Sequence, residues 1–100
     1  MTDNQAVMDD KTLYIAIKAR LEKADVEIAA QNWESANGLV KQALAELGDR
    51  YSSPSLRDDS GMSLVIAEVQ EKKEGKLDSA VHLRRDILAE RLERLRSKIR

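Results

Sequence analysis

The chain contains no cysteine and no phenylalanine, one proline and one histidine. Without thiols it has no disulfide framework, no thiolate metal site and no thiol nucleophile. Aromatic residues are three, Tyr14, Trp33 and Tyr51, so Ala, Leu, Ile and Val must fill the core. That composition suits close helix packing and poorly suits a sheet sandwich. No apolar run approaches the roughly 18 residues of a membrane span, and the polar, acidic opening MTDNQAVMDD is unlike a signal peptide. A water-soluble, cytoplasmic protein is therefore expected. At 100 residues, 42% hydrophobic and 35% charged, the chain reads as one globular domain with a modest core.

What the chain does have is helical rhythm. Tyr14, Ile17, Leu21, Ala24 and Ile28, widened by Leu13, form the seam of a first helix over about 11–30, capped by Asp9 or Asp10. Trp33, Ala36, Val40, Ala43, Leu44 and Leu47 share one face of a second, entered at Asn32 and closed by Gly48. Gly38 lies inside this helix, and tight packing is its expected reason. Residues 49–58, with Pro54 and three serines, form the linker. A third helix follows from about Asp59 to Lys73, with Met62, Val65, Ile66 and Val69 expected as its core face and Glu68–Lys72 as a flanking pair. After the turn at Glu74–Lys76, a fourth helix runs toward the terminus on Leu77, Ala80, Val81, Ile87, Leu88, Leu92, Leu95 and Ile99, interrupted by Arg84. Helix three is too short to cover it, so Leu92, Leu95 and Ile99 need helix one or a second chain. The expected organisation is all-α: a frayed 1–9, then a single helical domain over 10–100, made of antiparallel hairpins at 10–48 and 59–100.

The second hairpin echoes the first. Trp33 maps on Leu77, Ser35 on Ser79, Ala36 on Ala80, Leu39 on Leu83 and Leu44 on Leu88, a period of 44. The turn-plus-helix pattern, Gln-Asn-Trp-Glu-Ser-Ala with Ala43 and Gly75-Lys-Leu-Asp-Ser-Ala with Ile87, resembles the second helix of a tetratricopeptide repeat. The front halves lack that family's Leu-Gly pair, with Ala24 and Glu68 at the glycine position, and the period exceeds the family's ~34. The resemblance implies stacked hairpins that bind protein partners, with a plain four-helix bundle as the alternative. The segment from Asp58, DDSGMSLVIAE, also looks like small bacterial proteins of unassigned activity, and carries no function with it.

No motif specifies a chemistry. His82, flanked at helical spacing by Asp78 and Asp86, does not make a zinc site. Ser35 and Ser79 sit in first helical turns, where serine commonly belongs. Asp58-Asp59-Ser60-Gly61 lacks the alternating ligands and closing Glu of a calcium loop, so capping is its expected role. No cofactor fingerprint is present, and an enzyme is not expected.

Charge is uneven. Residues 82–100 carry seven Lys/Arg and three Asp/Glu, while the rest of the chain carries ten and fifteen. The favoured reading is a non-catalytic module that binds a protein partner or itself. Helices one and three would stand side by side, with Lys18, Asp25, Lys72 and Lys73 lining a shallow groove. Leu92, Leu95 and Ile99 would add an apolar contact rimmed by Arg91 and Arg94. The alternative is a nucleic-acid-associated protein using the basic last helix, although interleaved acids and missing aromatics weigh against it. No membrane partner is expected, since that helix lacks Trp or Phe on its apolar face.

Overall fold

The computed structural model describes residues 9–48 and 62–99 and is all-helical there. Four helices follow in order: α1 (Asp10–Ala29), α2 (Trp33–Leu47), α3 (Met62–Lys72) and α4 (Leu77–Arg96). The expected linker, the Asp58–Asp59 cap, the terminal segment 1–8 and Arg100 lie outside the described residues. Asp9 caps α1, its Oδ1 accepting from the Thr12 backbone N–H at 2.8 Å, which satisfies one free donor of the first turn. Asn32 behaves otherwise. It occupies the N-cap position of α2 without capping it, because its Nδ2 donates to Glu27 Oε1 at 3.0 Å instead. Gly48 closes α2 at φ 69°, its N–H donating to the Leu44 carbonyl.

α1 packs on α2 and α3 on α4, giving the two expected hairpins. α4 also lies against both α1 and α2, whereas α3 makes backbone-level contact with α4 alone. The arrangement is therefore neither a closed square of four helices nor a pair with α1 beside α3. It is a three-helix core of α1, α2 and α4, with α3 attached to the outside of α4. Cross-contacts fix the directions. Trp33 meets His82, Asn37 meets Arg84 and Gly48 meets Arg91, so α2 and α4 run parallel.

The core itself comes from those three helices. Leu13, Ile17, Leu21 and Ala24 of α1, Val40, Ala43, Leu44 and Leu47 of α2, and Ile87, Leu88, Leu92 and Leu95 of α4 form one buried cluster. The α1 seam thus turns toward Leu13, leaving Tyr14 and Ile28 half-buried. Leu92 and Leu95, whose cover the sequence left open, are buried within the chain among α1 and α2 residues. α4 ends at Arg96, so Ile99 lies beyond it and is half-buried.

The period of 44 is present in three dimensions. Buried positions of α2 are 36, 37, 40, 43, 44 and 47, and each has a buried counterpart in α4 at 80, 81, 84, 87, 88 and 91. The turns match as well: Gln31 and Gly75, 44 apart, both take positive φ, at 63° and 67°. Gly75 adopts this conformation freely, whereas Gln31 does so against the steric preference of an L-residue. Gly38 departs from expectation. It is exposed, and a Cβ there would meet nothing within 4 Å, so tight packing is not its reason.

Candidate interaction surface

α3 is the element whose placement differs most from its sequence pattern. Its expected core face points outward: Met62 is 60% exposed, Val65 59%, Ile66 45% and Val69 37%. Their spacing of 3, 1 and 3 keeps them on one helix face, a continuous apolar stripe. The opposite side turns to α4 through Ala67, the only fully buried residue of α3, with Leu64 packed partly against the core.

The repeat does not extend to which face of the first helix of each hairpin is buried. At the 44-residue offset Met62 and Ile66 correspond to exposed Lys18 and Glu22 of α1, but Val65 corresponds to buried Leu21 and Val69 to half-buried Asp25. Lys18 and Glu22 approach to 4.0 Å on the outside of α1, where apolar Ile15 and Val26 are also exposed. Isolated apolar residues on a surface are ordinary, but a contiguous patch marks a place of contact.

A polar cluster fixes the inner side of α3. Arg84 of α4, with 4% of its side chain exposed, donates to Asn37 Oδ1 of α2 at 2.7 Å. The same guanidinium reaches Glu71 Oε1 at 2.6 Å and Glu68 Oε1 at 3.1 Å on α3. Asn37 Nδ2 donates weakly to Glu71 Oε2 at 3.4 Å. One planar guanidinium thus links three helices through donors held in a fixed fork. The Arg84 hydrogen bond holds the Glu71 carboxyl below its ordinary range. Glu68 is held down chiefly by its hydrogen bond to Lys72 at 2.8 Å, which in turn raises the lysine. Arg84, an interruption of the seam in sequence, is the buried tether of α3.

The residues expected to form contacts fall into separate places. α1 and α3 make no backbone-level contact, so they do not stand side by side as a groove joining Lys18 and Asp25 to Lys72 and Lys73 requires. Asp25 instead accepts a bidentate pair from Arg85 of α4, at 2.9 and 3.0 Å, tying α1 to α4. Lys73 is exposed beside the end of the α3 stripe. Leu92 and Leu95 are core residues, not an accessible apolar contact. Arg91 is buried rather than at a rim, and donates to the Gly48 carbonyl at 3.2 Å. A cation there complements the negative end of the α2 dipole. Half-buried Arg94 reaches Glu90 at 3.4 Å, and Ile99 is half-buried.

The basic face of α4 is largely neutralised. Arg84 and Arg85 are held by carboxylates of other helices, and Arg94 and Arg96 pair within α4 with Glu90 and Glu93. Phosphate binding requires charges free to displace counterions, and these four arginines are already paired with carboxylates. His82 is exposed and stacks obliquely on Trp33, with ring centroids 5.4 Å apart. Among the described residues, no three of His, Asp and Glu converge to hold a metal ion, and no helix is long and apolar enough to cross a membrane. No family model matches the chain, and no curated protein or solved structure matches it.

The sequence reasoning missed both sides of α3, taking the outward stripe for a core face and leaving Arg84 unexplained. Glu68 and Glu71, three apart on α3, were a signal for a buried cation.

Proposed function

We propose that this protein is a non-catalytic interaction module that docks a protein helix on the outer face of α3. The single observation behind this is the stripe of Met62, Val65, Ile66 and Val69, exposed on a helix whose inner side is already satisfied. Covering it removes apolar surface from water, worth roughly 25 cal/mol per Å² before the costs of association. An amphipathic helix is the complementary shape, since a ridge of side chains at 3- and 4-residue spacing packs into the groove of another. A cytoplasmic location belongs to the same reading, as does the absence of a catalytic role.

The test uses a synthetic amphipathic helical peptide carrying leucine at i, i+3, i+4 and i+7, titrated into dilute protein. Saturable binding is expected, lost in the double variant Val65→Glu/Ile66→Glu with its helical circular dichroism intact. Failure of the native chain to bind, or undiminished binding by the folded variant, would overturn the proposal.

A further inference from the structure

We infer that the natural occupant of this face is a second copy of the chain, its α3 antiparallel to the first across a two-fold axis. This rests on the reading of the α3 face as a docking surface and supplies its partner. The stripe is symmetric about its own midpoint. Met62 and Val69 stand equally far from the point between Val65 and Ile66, and Val65 and Ile66 flank that point directly. A second α3 running the opposite way sets Met62 against Val69 of the second copy, and Val65 against its Ile66. Every apolar residue then meets an apolar residue, as a self-complementary two-fold interface requires.

Charge selects the antiparallel direction. The stripe ends at Lys72 and Lys73. Parallel pairing would bring both lysines against their own copies. Antiparallel pairing sends them to opposite ends, each toward the side from which the other chain enters α3. Opposed helix dipoles favour the same direction.

The extent of the face sets the strength. α3 has 11 residues, about 17 Å of helix, and one such helix per chain falls below the ~1,200 Å² at which standard interfaces begin. The dimer is accordingly weak and depends on concentration.

The absence of cysteine gives a clean background for testing this pairing. Met62→Cys and Val69→Cys chains are prepared separately, and light scattering on the native chain is run across a concentration series. Antiparallel pairing brings Cys at 62 to Cys at 69 of the other copy. Two copies of Met62→Cys are instead displaced by seven residues, about 10 Å along the axis, beyond disulfide reach of ~7 Å between Cα atoms. The expected result is a disulfide-linked pair from the mixture under mild oxidation and little from either variant alone. The native mass should rise from 11.3 kDa toward twice that value, and Ile66→Glu should hold it at the monomer.

Equal linking by Met62→Cys alone would overturn the antiparallel arrangement. A constant monomer mass with no linked pair would overturn the second copy as occupant. If that monomer binds the leucine peptide through the same face, the docking reading survives and only the occupant is wrong. If it binds neither, both fall.

Discussion

Replacing Arg84 with alanine should undock α3 while leaving the other three helices assembled. The substitution removes the donor to Asn37 Oδ1 and Glu71 Oε1 and leaves Glu68 and Glu71 side by side without their shared cation. Breaking a fully buried ion pair costs about 3–5 kcal/mol. Glu71 keeps 22% of its side chain exposed and can rehydrate, so about 2 kcal/mol is the appropriate magnitude. At 1.36 kcal/mol per tenfold, that is about a 30-fold rise in the opening equilibrium of α3. The cost falls mainly on α3 because none of the twelve buried core residues belongs to it, and only half-buried Leu64 packs against them. Segment-resolved amide hydrogen exchange at pH 7 measures it directly. Exchange over 62–72 should accelerate about 30-fold, with α1 and α2 close to native. Equal acceleration across all four helices would refute the reasoning, and so would an unchanged α3. Arg85→Ala is the control: its pair with Asp25 is one-third exposed, and its loss should cost no more than about 1 kcal/mol.

Acid should act on the same tether. Glu71 has its folded-state pKa lowered from 4.5 by Arg84, so its contribution is complete above 4.5 and fades as pH falls through the lower folded value. Exchange protection of α3 should therefore drop below pH 4.5 ahead of the α1–α2–α4 core, which an exchange series from pH 6 to pH 3, corrected for intrinsic rates, will show. Leu95→Ala should cost about 3 kcal/mol by leaving a cavity, a fall of roughly 12–24 °C in melting temperature, whereas Ile99→Ala should shift it little; calorimetry compares them. Gln31→Gly should stabilise the chain by about 1 kcal/mol, relieving the left-handed backbone that Gly75 adopts without strain at the equivalent turn. A denaturation midpoint at or below the native value would contradict that.

Much of the fold was legible in the residues because each core helix carries one apolar stripe. Ile17, Leu21 and Ala24, or Val40, Ala43, Leu44 and Leu47, recur without a break at helical spacing, so periodicity identified the buried side, although α1 also leaves Ile15 and Val26 exposed on its other side. Asp9 and Gly48 marked helix ends through chemistry local to a single turn. α3 defeated the same rule. Four of its large residues form one stripe, yet the buried side is the one with Ala67 and half-buried Leu64. Periodicity reports that a face is apolar, not what covers it. Arg84 was illegible from its own seam for a related reason. Whether a guanidinium interrupts a seam or is buried within it depends on carboxylates from another helix, and that geometry exists only after α3 has docked. The expected groove failed because it required α1 beside α3, a pairing that neither hairpin's own pattern determines.

The most direct measurement of the central claim is the amide NMR spectrum of the native chain recorded across a protein concentration series. Resonances of Met62–Lys72 should move with concentration while those of α1 and α2 stay fixed, placing the contact on the outer face of α3. A spectrum independent of concentration, or shifts gathered instead around Ile15 and Val26 on the outside of α1, would contradict it.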